Sequence, residues 1–147
     1  MKLKDILHTQ GDREIVKIEP NCKVREAMQL IVKRKIGALL VQEKGEKLVG
    51  IITERDILWH MFDLGEKVFD KSVEDIMTRK VIVGIPDDDI EVAEQFMTFN
   101  RFRHLPVLEG DRVVGLISIG DLVKSQMGSL KVENRYLTDY ITGKYPA

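Results

Sequence analysis

The chain has 147 residues, of which 44% are hydrophobic and 32% are charged, as is ordinary for a globular protein. Its 23 basic and 24 acidic residues leave a formal net charge of −1, so the charge balance gives no reason to expect a nucleic-acid partner. A single cysteine, Cys22, excludes an intramolecular disulfide framework and a multi-cysteine metal site. No apolar run approaches the ~18 residues of a membrane span, and the first residues lack the apolar core of a secretion signal. We therefore expect a cytoplasmic protein without a membrane partner.

The first half of the chain alternates between strand-like and helix-like patterns. A short β-branched run that ends before Pro20 predicts a strand. An amphipathic helix is predicted next, from an apolar stripe formed by Val24, Ala27, Met28 and Ile31. Two apolar stretches at residues 38–41 and 48–52, separated by a polar turn, predict a β-hairpin. A second helix is expected to begin at Thr53 and to end at Gly65.

The second half repeats this order at an offset of 65 to 66 residues. The run VGIITERD at residues 49–56 returns as VGLISIGD at residues 114–121. Residues 81–83 predict the corresponding strand, and Ile90, Ala93, Phe96 and Met97 form the corresponding helix stripe. The offset is 70 at the start, where residues 4–7 resemble residues 74–77, so the first copy carries about four extra residues around Gly11.

These patterns predict an α/β (α+β) fold of two repeats, each β-α-β-β-α. The first repeat spans residues 1–66, the second residues 67–127, and a C-terminal amphipathic helix with its tail residues 128–147. A three-stranded sheet with helices on one side leaves apolar surface uncovered, so we expect the two copies to pack together.

A hydroxyl residue followed three positions later by Asp occurs once in each copy, at Thr53 to Asp56 and at Ser118 to Asp121. One interpretation is a capping box that satisfies backbone N–H groups at the helix start. The other is a carboxylate that accepts two hydrogen bonds from the vicinal diol of a ribose. The second is favoured because Asp is shorter than the Glu or Gln usual at that position, and should reach the cap N–H less easily.

The two copies differ in their candidate anion-binding residues. Arg55 lies in the first turn of its helix, where a bound anion would interact favourably with it, and Gly120 takes its place in the second copy. Gly37 and Ala38 in the first copy correspond to Arg103 and His104 in the second, where the nearby Arg101 favours a local anion-binding role. The alternatives are an Arg55 paired with a neighbour such as Glu54 and a structural histidine.

Other chemistry-bearing residues carry weaker signals. The acidic run at residues 87–89 is expected to cap the helix that begins near Ile90 rather than to bind a metal. His8 and His60 lack the spacing of metal ligands, and we predict no metal site and no catalytic residues.

Together these motifs resemble a tandem cystathionine-β-synthase (CBS) domain protein, a stand-alone Bateman module. The resemblance covers about residues 1–127 and rests on the segments IGALLV (36–41), VGIITERD (49–56), DIMT (75–78), RHLPV (103–107) and VGLISIGD (114–121). It implies two repeats packed by a pseudo-twofold axis, adenosine ligands in the clefts between them, and a homodimer.

The resemblance also implies roles for individual residues. Asp56 and Asp121 would hold the ribose diol, and Thr53, Arg55 and Ser118 would lie near the phosphates. The remaining positions that match adenine and phosphate walls are Lys17, Ile18, Gly37, Ala38, Val83, Gly84, Ile85, Pro86, Arg103, His104 and Pro106.

The predicted function is that of a non-catalytic regulatory sensor. Its ligand would be AMP, ADP, ATP, NAD or S-adenosylmethionine, with no catalytic cofactor, and a protein partner would read the bound state. The alternative is a ligand-free module for dimerisation or partner binding. An enzyme of the (β/α)₈ class is excluded because its barrel needs ~250 residues.

Overall fold

Helices and strands follow one another in two similar series in the computed structural model, which describes residues 1–11, 13–45 and 47–127. The first series is α1 (Leu3–Gln10), β1 (Lys17–Ile18), α2 (Val24–Arg34), β2 (Ala38–Gln42), β3 (Leu48–Thr53) and α3 (Glu54–Leu64). A 3₁₀ helix (Gly65–Asp70) leads to the second series, which is α4 (Val73–Ile76), α5 (Ile90–Asn100), β4 (His104–Glu109), β5 (Arg112–Ser118) and α6 (Ile119–Met127). The C-terminal helix predicted within residues 128–147 lies outside the described residues.

The strands form two small sheets. In the first, β1 runs parallel to β2, and β2 is antiparallel to β3; in the second, β4 and β5 are antiparallel. The strand predicted at residues 81–83 is wrong, because only Gly84 makes a bridge, in parallel with Val107. The chain turns immediately afterwards, where the N–H of Ile85 donates to Asp88 Oδ2 at 2.9 Å. The second copy therefore keeps a single bridge where the first has strand β1.

The first helix of each series packs on the core of the other copy. Leu3 and Ile6 of α1 are buried with residues of α5, β4, β5 and α6. Val73 and Ile76 of α4 are buried with residues of α2, β2, β3 and α3. This exchange of first helices between the copies is also seen in two equivalent backbone hydrogen bonds. The N–H of Lys4 donates to the carbonyl of Pro86, while the N–H of Glu74 donates to the carbonyl of Pro20, each at 2.9 Å.

A third apolar cluster joins the two sheets. Ala38, Leu40 and Ile51 of the first copy are buried against partly buried residues of the second, among them Val113 and Leu116. The expectation that the two copies pack together is thus confirmed. Within the part of the chain that the structure describes, every helix is too short or too polar to cross a membrane.

Candidate functional site

Two clefts open along the contact between the copies. The first, cleft 1, has a cavity volume of about 310 Å³ and is lined by Leu7, Gln10, Gly11, Arg13, Glu14, Ile15, Val16, Lys35, Ile36, Gly37, Ala38, His104, Val114, Gly115, Leu116, Ser118 and Asp121. The second, cleft 2, has a volume of about 190 Å³ and is lined by Gly37, Ile51, Thr53, Glu54, Arg55, Asp56, Thr78, Arg101, Phe102, Arg103 and His104. Cleft 1 reaches the ~300 Å³ at which small-molecule sites begin. Each cleft draws walls from both copies.

The hydroxyl-x-x-Asp motif of the first copy contributes Asp56 to cleft 2. Its Oδ2 accepts hydrogen bonds from the N–H of Thr53 at 2.9 Å and from Thr53 Oγ1 at 3.1 Å. Its Oδ1 accepts from the hydroxyl of Thr78 at 3.0 Å. All three donors are neutral, and a carboxylate has about four acceptor sites, so the group retains capacity for a further donor.

The motif of the second copy contributes Asp121 to cleft 1, where the partners are different. Asp121 Oδ2 accepts from the N–H of Ser118 at 2.8 Å and from Gln10 Nε2 at 3.2 Å. Arg13 forms an ion pair with the same oxygen at 3.3 Å. The carboxylate of cleft 1 therefore faces a cation that its counterpart in cleft 2 lacks.

Both motifs are complete capping boxes. The N–H of Asp56 donates to Thr53 Oγ1 at 3.2 Å, and the N–H of Asp121 donates to Ser118 Oγ at 3.1 Å. The expectation that Asp reaches the cap N–H less easily than Glu or Gln therefore does not count against capping, and Asp75 reaches the N–H of Ser72 in the same way at 3.1 Å. Any ribose-binding role must therefore rest on the position of these carboxylates in the clefts.

Cleft 2 has one more cationic side chain than cleft 1. Arg55, Arg101 and Arg103 all line it, whereas cleft 1 has Arg13 and Lys35. Arg55 Nη1 donates to the carbonyl of Arg101 at 3.3 Å, and its guanidinium lies 5.9 Å from the centre of the Trp59 ring. Cleft 2 therefore combines arginines from both copies, with Arg55 from the first copy and Arg101 and Arg103 from the second.

Lys35 and Arg101 occupy equivalent positions at the ends of α2 and α5. Both adopt the left-handed conformation, with φ of 54° and 59°, which costs a non-glycine residue on the order of 1 kcal/mol. One lines cleft 1 and the other cleft 2. Cleft 1 therefore has a cation from the end of α2, and cleft 2 has a cation from the end of α5.

Gly37 and His104 lie where the clefts meet, and both line both clefts. A Cβ on Gly37 would lie 2.9 Å from Glu54 Oε1 and 3.2 Å from His104 Nε2, so a larger residue there would require the Glu54 side chain to move. Burial lowers the pKa of His104, partly offset by Glu54 and Asp121, while Arg103 lowers it further. The imidazole is therefore favoured in its neutral form.

Of the residues predicted to bind a ligand, the clefts bring together Gly37, Ala38, Thr53, Arg55, Asp56, Arg103, His104, Ser118 and Asp121. The others lie outside both clefts. Lys17 and Ile18 pair with β2, Pro106 is buried opposite Leu116, and Val83, Gly84, Ile85 and Pro86 belong to the segment against which α1 docks.

The clefts contain residues that were not predicted. Val16 lines cleft 1 directly before β1, and Thr78 lines cleft 2 two residues after the end of α4. Lys35 was not predicted either, although the offset of 66 pairs it with Arg101, which was a candidate for anion binding. For Arg13 the only signal was its place in the extra residues of the first copy.

The acidic run at residues 87–89 does not cap α5 through its side chains, contrary to the prediction. Asp89 is the N-cap residue but its side chain makes no cap hydrogen bond, and it pairs instead with Lys2 at 3.0 Å. Asp87 pairs with Lys4 at 3.0 Å, which lowers the pKa of that carboxyl group. These carboxylates form ion pairs with the start of α1, the first-copy helix that packs on the core of the second copy. Among the described residues, no cluster of three His, Cys, Asp or Glu side chains could hold a metal ion.

Comparison with curated proteins gives relatives over most of the chain. The CBS domain-containing protein CBSX3, mitochondrial, of Arabidopsis thaliana is 38% identical over 126 residues, which cover 83% of this chain and 61% of that protein. The CBS domain-containing protein YhcV of Bacillus subtilis is 31% identical over 127 residues, which cover 86% of each. The chain thus spans less than two thirds of the first relative and most of the second.

Solved structures share the fold. The CBS-domain containing protein ATU1752 from Agrobacterium tumefaciens is 35% identical with a TM-score of 0.82, covering 85% of this chain and 92% of that one. The CBS domain pair of protein MJ0100, solved in complex with 5′-methylthioadenosine and S-adenosyl-L-methionine, is 28% identical with a TM-score of 0.74, covering 87% and 97%. The CBS domain family model matches residues 3–63 and 73–128, once for each repeat. The chain belongs to the CBS domain family as a pair of CBS repeats.

Proposed function

We propose that this protein is a regulatory module that binds an adenosine nucleotide in the clefts between its two CBS repeats. The observation that carries the proposal is that each cleft contains both an ordered carboxylate and cationic side chains. Asp56 lies with Arg55 and Arg103 in cleft 2, and Asp121 lies with Arg13 and Lys35 in cleft 1. A ribose diol needs the first group and a phosphate the second.

The charge of cleft 2 favours a phosphate-bearing ligand. Its three guanidinium groups outnumber its two carboxylates, Glu54 and Asp56, so the cleft would attract a phosphate and repel the sulfonium of S-adenosylmethionine, with which a relative at 28% identity was solved in complex. We therefore place AMP, ADP, ATP and NAD ahead of S-adenosylmethionine. Ligand binding would bias the packing of the two copies, and a protein partner would recognise that state.

Calorimetric titration with adenosine, AMP, ATP and S-adenosylmethionine tests the proposal. We expect AMP to bind below millimolar concentration, and Asp56→Asn and Asp121→Asn to weaken it roughly tenfold each, since each substitution removes a charged hydrogen-bond acceptor. Asp75→Asn is the matched control, because Asp75 makes the same contact to an N-cap residue outside both clefts. Loss of stability without loss of affinity in all three variants would leave capping as the only role of these residues.

We also propose that the protein forms a homodimer through its exposed aromatic residues. Phe62 on α3 is 91% exposed and Phe99 on α5 is 87% exposed, and Trp59 and Val92 on the same helices are exposed too. Large apolar side chains that are exposed on helices are typical of interaction surfaces. These exposed residues also support the second candidate function, a module for dimerisation or partner binding whose clefts stay empty, and the titration above separates the two.

A further inference from the structure

One wall of cleft 1 comes from the end of α1 and the residues that follow it, whereas the stretch after α4 gives the lining of cleft 2 a single residue, Thr78. Gln10, Gly11, Arg13 and Glu14 line cleft 1. They belong to the stretch in which the first copy has about four more residues than the second. Gly11 ends α1 with a φ of 62°, and the chain that follows carries Arg13 to the carboxylate of Asp121.

The contacts of the two carboxylates show what Arg13 changes. Arg13 Nη1 lies 3.3 Å from Asp121 Oδ2 and 3.5 Å from Oδ1, so one guanidinium nitrogen faces both oxygens that a diol would need. In cleft 2 the corresponding contact to Asp56 Oδ1 is the neutral hydroxyl of Thr78. A ligand that uses Asp121 must therefore compete with a cation of the protein itself.

We propose that Arg13 is an internal competitor for Asp121 and makes cleft 1 selective for nucleotides over neutral nucleosides. The inference rests on the proposed binding of an adenosine nucleotide. A nucleoside that takes Asp121 leaves the displaced guanidinium without an anion. A nucleotide brings a phosphate to which the same guanidinium can turn, and guanidinium groups bind phosphate through two parallel hydrogen bonds.

The exposure of the two side chains permits this exchange. The Arg13 side chain is 56% exposed, so its head group can leave Asp121 without opening the core. The Asp121 side chain is only 19% exposed and stays anchored by the N–H of Ser118. At such exposure an ion pair resists displacement by roughly two- to fivefold in affinity. A charge-assisted hydrogen bond to phosphate contributes roughly tenfold or more.

Titration of Arg13→Ala with adenosine and with AMP tests the inference, in an Asp56→Asn background that weakens cleft 2. We expect adenosine to bind about two- to fivefold more tightly than in the background protein, because Asp121 no longer pairs with a cation of the protein. AMP is expected to bind roughly tenfold more weakly, because its phosphate has lost the guanidinium. Arg13→Lys keeps the charge without the planar fork. Its selectivity for AMP over adenosine should lie between that of the background protein and that of Arg13→Ala.

Arg25→Ala is the matched control. Arg25 has a similarly exposed side chain, pairs with Asp70 at 3.8 Å, and lines neither cleft. It removes the same charge and should leave the affinities for adenosine and AMP unchanged.

The outcomes separate this inference from the proposed function. If Arg13→Ala lowers the melting temperature but changes the two affinities by the same factor, Arg13 is a structural ion pair and the inference is overturned. If AMP binds but Arg13→Ala leaves the affinities for AMP and adenosine unchanged, nucleotide binding stands and the role of Arg13 fails. If neither ligand binds the unsubstituted protein, the proposed function fails as well.

Discussion

Gly50 lies where even a methyl group should cost stability. A Cβ there would lie 2.5 Å from Met77 Sδ, 3.0 Å from Met77 Cγ and 3.0 Å from the carbonyl oxygen of Thr78. The methionine side chain can adjust, but the carbonyl cannot move freely. It accepts the N–H of Ile51 at 3.0 Å, and the N–H of Thr78 donates to the carbonyl of Ile51 at 2.8 Å. Gly50→Ala must therefore displace a hydrogen-bonded backbone.

The expected cost follows from three contributions. Overpacking a buried site costs about 1–3 kcal/mol. Weakening one backbone hydrogen bond adds about 1 kcal/mol. Replacing glycine in a strand by alanine returns at most about 1 kcal/mol. We expect Gly50→Ala to lower the free energy of unfolding by about 1–3 kcal/mol.

Gly115 is the equivalent position in the second copy and provides the comparison. The atoms nearest to a Cβ there all belong to the side chain of Leu7, and one of its methyl groups would collide with it. Leu7 is half-buried, and the end of its side chain can rotate. We expect Gly115→Ala to change the free energy of unfolding by less than about 1 kcal/mol. Urea unfolding followed by circular dichroism measures both variants. Equal effects, within about 0.5 kcal/mol, would refute the distinction between a fixed carbonyl and a mobile side chain.

Three further predictions concern the clefts and the exposed surface. Because the folded pKa of His104 lies below its ordinary value of 6.5, the unfolded chain binds more protons, so stability should fall as pH drops below about 6.5. Thermal melts of His104→Gln should show a weaker fall over that range, and an identical pH profile would contradict the assignment. Arg55→Ala should weaken AMP roughly tenfold and adenosine much less in calorimetry, while equal weakening would remove its role in phosphate binding. Phe62→Glu should shift the protein from dimer to monomer in light scattering, with Glu66→Ala as a control on an exposed polar side chain. An unchanged mass would show that Phe62 is not at the interface.

Hydrophobic periodicity predicted most elements of the fold because each reflects a local pattern. The helix stripe that includes Val24 and Ala27 lies on α2, with these residues fully buried, and the hairpins and the C-cap at Gly65 are present. Residues 81–83 have a strand-like composition, yet their neighbourhood offers only one bridge, at Gly84. A strand depends on a partner edge, and composition does not reveal where that edge lies.

The exchange of α1 and α4 was not predictable from periodicity. An apolar stripe such as the one with Leu3 and Ile6 shows that a helix is buried, but not against which copy. The change of offset from 70 to 66 marked an insertion without showing that it reaches a cleft. Arg13 lies in that insertion, and its contact with Asp121 spans 108 residues of sequence.

The candidate site was predicted where a motif carries its own geometry. Thr53 with Asp56 and Ser118 with Asp121 define helix starts, and both starts lie in clefts. The walls assigned to residues 17–18 and 83–86 lie outside, since which residues of a short strand face a cleft depends on the packing of the other copy. Residues 15 and 16, directly before β1, line cleft 1 instead.

The placement of the two clefts determines how one ligand could affect the whole module. Cleft 1 joins Gly37 of the first copy to Asp121 of the second, and cleft 2 joins Asp56 of the first to Arg103 of the second. A ligand that contacts both sides of either cleft must favour one relative position of the copies. Both clefts share Gly37 and His104, so the same contact is biased from either side. In the proposed function, two ligands would therefore influence each other's affinity through the packing of the repeats, and the coupling must be equal in both directions.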